Sequence, residues 1–201
     1  MPTMTLSREH LRDYLLHAEE RAVYRVYPRH MAAELRAGYR SLLKLLVEAT
    51  LEGEALLHWQ LRCPICGATG DYASSLQEAH HETTCATCAA TIVPHVDDEI
   101  FVTFSVHPAL RRLGPHADDP DFQQSMAERF RPTTGHELLT IQTFRDWAQN
   151  QPLPTQESLE VRHVALWFSD LSGSTALYAR RGDPRAFQLV RQHFDYLFEA
   201  V

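Results

Sequence analysis

Apolar residues in the first quarter of the chain recur at three- and four-residue spacing, and beyond Gly53 they begin to read as strands. Leu11, Leu15, Ala18 and Ala22 share one face of a helix that Ser7 can cap. Pro28 suits the first position of a second helix through Met31, Ala32 and Leu35, which Gly38 breaks. Leu42, Leu43, Leu46, Val47 and Thr50 mark a third, with Gly53 as its stop. Two helices around a turn, followed by the extended Ala55-Leu56-Leu57-His58-Trp59, suggest a small helix-turn-helix or winged-helix unit. Arg36, Arg40 and Lys44 would serve it in DNA binding, but no base-reading set accompanies them, and a packing module with solvated basic residues is the simpler reading.

Further on, Ile100, Val102, Phe104 and Val106 alternate with Phe101, Thr103 and Ser105, which predicts a strand in a sheet with one buried face. His107-Pro108 ends it. Residues 111–134 turn towards Pro, Gly and acids and read as an irregular linker, clearest at Asp118-Asp119-Pro120-Asp121, where carboxylates could hold a cation or simply be solvated. Leu138 to Thr143 predicts one more strand, and Phe144-Arg145-Asp146-Trp147 a helical turn. Pro152 and Pro154 mark a boundary. Val164 to Phe168 then has the length and composition of a strand buried on both faces, with Asp170 at its carboxyl end. A helix through Arg181, a turn at Gly182-Asp183-Pro184 and a last helix follow. On that helix Phe187, Val190, Phe194, Leu197 and Val201 form a stripe read as core.

Composition narrows the class. With 201 residues, 44% apolar and 22% charged, the chain is globular and can build a sizeable core. A net charge of −7 argues against wholesale binding of nucleic acid. Neither a membrane span nor a signal-peptide pattern is visible, so the expected location is the cytoplasm.

In a reducing compartment four cysteines suggest metal before disulfides. Cys63-Pro64-Ile65-Cys66 and Cys85-Ala86-Thr87-Cys88 are two Cys-x-x-Cys turns separated by 18 residues, the spacing of a closed tetrahedral site. Structural Zn2+ is the leading reading; a rubredoxin-like iron site, a redox pair and unligated core cysteines are the alternatives. His80 and His81 could replace a cysteine, although two intact pairs favour four thiolates.

Asp170 enters a small-residue turn, Ser172-Gly173-Ser174, from which Ser174 or Thr175 can cap a helix. An acid, a strand end and a helix N-terminus together can hold a metal ion and phosphate oxygens, and the plain alternative is a helix cap. Phe168-Ser169-Asp170-Leu171-Ser172-Gly173-Ser174-Thr175, with Gly182-Asp183 and the helix from Ala186 to Val201, resembles the opening of a class III adenylate/guanylate cyclase catalytic domain. The two cysteine pairs and Val102-Thr103-Phe104-Ser105-Val106-His107-Pro108-Ala109-Leu110-Arg111 are similar to the zinc-ribbon region that precedes this domain in some bacterial cyclases.

The pattern and the resemblance together lead to an expected α+β chain in three parts: a helical unit that could be winged-helix-like at 1–56, read from the residues, then a zinc-ribbon and β region with an irregular linker at 57–151, and, as the resemblance implies, the start of a ferredoxin-like cyclase domain at 152–201. The resemblance also implies a homodimer through the complete catalytic domain, with ATP or GTP at the interface. Two divalent ions, Mg2+ or Mn2+, would bridge two aspartates and the triphosphate while the ribose 3′-hydroxyl displaces pyrophosphate. Asp170 would be the first of those aspartates, Leu171 would offer a backbone carbonyl to one ion, and the N–H groups around Gly173, Ser174 and Thr175 would hold phosphate. The family's second aspartate and its transition-state Asn and Arg fall beyond Val201, so the polypeptide alone is expected to make no cyclic nucleotide. Ser174 replaces an aromatic residue common in the family. The same turn also resembles the nucleophile loop of haloacid-dehalogenase-type phosphatases, except that Ser172 stands where that family has a second acid. The non-enzymatic alternative is a zinc-ribbon regulator that binds protein or nucleic acid.

Overall fold

A computed structural model of the protein describes residues 6–73, 82–93, 99–149 and 171–200. The chain divides into two units, Met1–His163 and Val164–Val201.

In the first unit, helix α1 (Arg8–His17) starts where Ser7 accepts the His10 N–H, and it buries Leu11 and Leu15. A 3₁₀ turn, Glu20–Val23, leads to α2 (Pro28–Glu34), whose first position is the proline. Gly38 is the N-cap of α3 (Tyr39–Leu51), which buries Leu42, Leu43, Leu46, Val47 and Ala49. Gly53 then reverses the chain with φ 73°, a conformation that costs glycine little because it has no Cβ.

Strand β1 (Ala55–Arg62) runs antiparallel to β2 (Thr69–Ala73) on one side and to β5 (Ile100–Val106) on the other, and β6 (Thr133–Thr134) completes the sheet in the order β2-β1-β5-β6. The β1–β5 register runs unbroken from Ala55 opposite Val106 to Leu61 opposite Ile100. Beyond the end of β6, Val26 exchanges two backbone hydrogen bonds with Phe104, at 2.9 and 3.0 Å. A separate hairpin joins β3 (Thr83–Thr84) and β4 (Thr91–Ile92).

All seven residues of β5 are buried, which corrects the expectation of a strand with one wet face. Of the polar side chains on its second face, Thr103 buries its Oγ1 without a hydrogen-bond partner among the described residues, whereas Ser105 is accommodated. Ser105 Oγ accepts the Arg25 N–H at 2.8 Å and lies 2.8 Å from His58 Nε2. One hydrophobic cluster takes in Leu11 and Leu15 of α1, Leu42, Leu43, Leu46 and Val47 of α3, Trp59, Phe104, Leu138 and Phe144. The N-terminal helices and the sheet therefore share a core.

Residues 111–149 differ most from expectation. Asp119 accepts the Phe122 N–H and caps α4 (Pro120–Arg129), so the most irregular-looking stretch is a helix start. Leu138 to Thr143 is not a strand. Thr134 and Glu137 form a reciprocal capping box that opens α5 (Gly135–Leu139), and α6 (Gln142–Gln149) follows. Leu138, Ile141, Phe144 and Ala148 are buried at helical spacing, and Phe144 meets both Trp59 and Trp147 edge to face or tilted.

In the second unit, α7 (Ser174–Arg181) and α8 (Asp183–Ala200) are joined through Gly182 at φ 74°. The α8 stripe is not core: Phe187 is 61% and Phe194 39% exposed, and Ala186 is the one buried side chain among the described residues of this unit. The expected strand Val164–Phe168, Pro152, Pro154, His80, His81, Asp170 and Val201 lie outside the described residues.

His58 makes the first unit acid-sensitive. Burial, reinforced by the nearby Arg25 guanidinium, lowers its pKa from 6.5 to about 4. Above pH 6.5 it is neutral in both folded and unfolded chains; as pH falls from 6.5 to 4 only the unfolded chain gains the proton, so stability is lost across that window. The loss should reach roughly 3 kcal/mol. Urea unfolding of the protein and of His58→Gln across this range checks it: the variant should show a shallower decline, and parallel declines would refute the assignment.

Candidate metal centre

The two Cys-x-x-Cys turns are built alike: each follows directly on the end of a strand, β1 or β3, with a tight reversal. In the first, the Gly67 N–H donates to the Cys63 carbonyl and the Cys63 N–H to the Ala68 carbonyl, both at 2.9 Å. In the second, the Ala89 N–H donates to the Cys85 carbonyl and the Cys85 N–H to the Ala90 carbonyl, again at 2.9 Å. The residue after each second cysteine is left-handed: Gly67 at φ 73°, Ala89 at φ 57°. These turns aim backbone N–H groups at the first sulfur of each pair, Cys66 and Ile65 at Cys63, Cys88 and Thr87 at Cys85.

The four sulfurs lie within 4.8 Å of one another, a group that could hold a metal ion such as zinc. Cys63 Sγ is 3.7 Å from Cys88 Sγ, and Cys66 Sγ is 3.7 Å from Cys85 Sγ. A tetrahedral ion with bonds of about 2.3 Å to sulfur needs edges of about 3.8 Å, so the spacing fits zinc and is far too long for a disulfide. Cys63 and Cys85 are buried beside Ile92, while Cys66 and Cys88 face solvent.

Their electrostatics point the same way. The Cys88 and Thr87 N–H groups lower the Cys85 pKa to about 6, and those of Cys66 and Ile65 lower that of Cys63. At Cys88 the Ala90 N–H pulls in the same direction, but burial and the thiols of Cys66, Cys85 and Cys63 outweigh it and push the value up to about 12. Four thiolates cannot share this volume unaided, and a dication removes the conflict. With four protein donors, the centre has no open position for a catalytic water.

Residues 5–133 match a family described as a family of unknown function (DUF5939). The chain belongs to this family. The DUF5939 match runs from before α1 through both knuckles to β6 and ends before α5. No curated protein and no solved structure matches the chain.

Outside the DUF5939 region, Gly173 is left-handed at φ 78° and caps α7, and its carbonyl accepts the Leu177 N–H at 3.0 Å. The Ser174 N–H donates to the Leu171 carbonyl at 3.3 Å. Leu171 and Ser174 are half-buried and Thr175 is exposed. Asp170 lies outside the described residues, so Leu171, Gly173, Ser174 and Thr175 are placed together in one turn without it. At the metal centre, sequence reasoning found all four cysteines but missed Ala89 and Ile92. The matching position of Gly67 after the first pair was the signal for Ala89.

Opposite substitutions at the two left-handed positions test the symmetry. A Cβ at Gly67 would meet only Arg62 Nη2, at 3.9 Å, so Gly67→Ala pays in backbone conformation alone, about 1 kcal/mol or a fivefold loss of Zn2+ affinity. Ala89→Gly should raise affinity by a similar factor. Competition with a chromogenic chelator reads both, and effects of the same sign would contradict the matched-knuckle geometry. Cys85→Ser should in addition abolish stoichiometric Zn2+ in the purified protein, measured by elemental analysis.

Proposed function

We propose that the chain is the regulatory front and the opening segment of a class III nucleotidyl cyclase, with structural Zn2+ at Cys63, Cys66, Cys85 and Cys88. The observation that carries this reading is the run from Phe168 to Thr175, in which an acid precedes a left-handed glycine that starts a helix, followed by the Gly182-Asp183 turn and the long α8. Cysteine pairs upstream of such a run add to it. In this reading Asp170 binds Mg2+ or Mn2+, the Leu171 carbonyl assists, and the first N–H groups of α7, which by helix geometry lack intrahelical acceptors, receive phosphate oxygens of ATP or GTP. The ions would stabilise the attacking 3′-oxygen and the departing pyrophosphate. The exposed apolar stripe of α8 suits a catalytic domain that packs further elements on this helix and pairs as a homodimer in the cytoplasm.

A second reading, a zinc-ribbon module that binds protein or nucleic acid without catalysis, draws on one observation. The DUF5939 match covers the helices and knuckles and ends before the acidic turn. Net charge of −7 disfavours nucleic acid within that reading.

Reading the coding sequence past Val201 and assaying its full product with Mn2+ and ATP or GTP separates the two. The cyclase reading expects cyclic nucleotide from the full product, at least a hundredfold less from Asp170→Asn, and none from residues 1–201 alone. An inactive full product that shifts duplex DNA in a salt-sensitive gel assay, or captures a protein, would support the second reading instead.

A further inference from the structure

A cleft of about 600 Å³ opens in the first unit between α1, the Glu20–Val23 turn, α2 and α4, well away in sequence from the cysteines. Its volume is that of a small-molecule site. The small side chains of Ala18 and Ala22 leave the space, and the rings of Tyr14 and Phe122 wall it.

His30 lines this cleft although it is only 7% exposed. Its ring is fixed edge-on by Phe122 and Phe130, each at 5.3 Å. Buried Nδ1 has no hydrogen-bond partner among the described residues. Holding a polar atom this way is unfavourable unless something outside the chain satisfies it.

Charges around the opening sort into satisfied and unsatisfied. Arg21 is shared between Glu19 at 2.9 Å and Asp119 at 3.2 Å, and His17 faces Asp13 at 3.0 Å, a contact that compensates the carboxylate only with a protonated imidazole. Glu34, one helical turn beyond His30, has no ion pair among the described residues, nor does Arg129, whose guanidinium lies over the Phe130 ring. Both line the cleft together with His30. The cleft thus presents the Glu34 carboxylate, with Asp13 beside it, the Arg129 guanidinium and one deep imidazole nitrogen between the Tyr14 and Phe122 rings. A simple anion would meet the carboxylates of Asp13 and Glu34, and a simple cation would leave Arg129 without a partner.

We infer that this cleft binds a small zwitterion of the amino-acid type, with its ammonium on Glu34, its carboxylate on Arg129, and its side group against Phe122 and Tyr14 within reach of His30. The site is independent of the cyclase reading, and its test involves no nucleotide.

The probes are the free L-amino acids, titrated singly at millimolar concentration into the zinc-loaded full chain by calorimetry. At least one apolar or aromatic amino acid should bind, and its N-acetyl and amide forms should each bind at least tenfold more weakly, a difference of about 1.4 kcal/mol. Glu34→Gln and Arg129→Gln should each impose a similar loss while leaving the ligand-free melting temperature unchanged. His30→Phe, which keeps an aromatic ring between Phe122 and Phe130, should also weaken binding. The inference is overturned if no amino acid binds, if the blocked forms bind as well as the free one, or if Glu34→Gln and Arg129→Gln leave affinity unaltered.

Discussion

A strand with no exposed residue has to be covered on both faces and hydrogen-bonded along both edges, and Ile100–Val106 imposes that requirement on everything around it. β1 satisfies one edge over seven residue pairs, whereas β6 and Val26 share the other. Val26 can do so because Arg25 takes a left-handed turn at φ 48° and donates its N–H to Ser105 on the same strand. Distant segments are tied in by the same need. Tyr39 donates its hydroxyl hydrogen to Thr133 Oγ1 at 2.9 Å, and Arg29 lies 3.8 Å over the Tyr39 ring while pairing with Glu137. These bonds link α2, α3 and the β6–α5 junction into one shell.

The cysteine knuckles occupy a different place in this economy of burial. They lie in the excursion between the two central strands, whose base is closed where the Arg62 N–H donates to the Glu99 carbonyl at 2.8 Å. Their apolar support is a small cluster of Cys63, Cys85 and Ile92, distinct from the main core. So little buried surface cannot hold two turns and a hairpin of two-residue strands, and a coordinated ion supplies what packing does not. Ile65, 68% exposed at the tip of the first knuckle, is an apolar side chain that the metal turn presents to solvent rather than to the core. The first unit is thus a packed body with a metal-closed tip, and Asp170 belongs by sequence to the other unit.

Legibility in the sequence followed the locality of the signal. The Ser7 cap, Pro28, the α3 stripe, the stop at Gly53 and the cysteine pairs are all short-range patterns, and each was readable. Asp119-Pro120 and Thr134-x-x-Glu137 are equally local helix starts, but the surrounding polar and proline-rich composition outweighed them and the helices after them were missed. Burial was harder. Alternation of Phe101, Thr103 and Ser105 with aliphatic residues looks like a half-wet strand, and only tertiary partners such as Arg25 and His58 explain why its polar face is dry. The α8 stripe fails in the opposite sense, since periodicity records an apolar face without saying what covers it. His30 gave no signal at all, because a histidine beside Pro28 on a short helix becomes notable only when Phe122, Phe130, Glu34 and Arg129 arrive from elsewhere in the chain.

The division between a packed body and a metal-closed tip is tested most directly by native-state hydrogen exchange on the metal-loaded protein before and after chelation. Amides of the knuckles and of the β3–β4 hairpin should lose protection when the metal is removed, while Leu56 to Leu61 and Ile100 to Val106 keep theirs. Loss of protection in both regions together, or in neither, would contradict it.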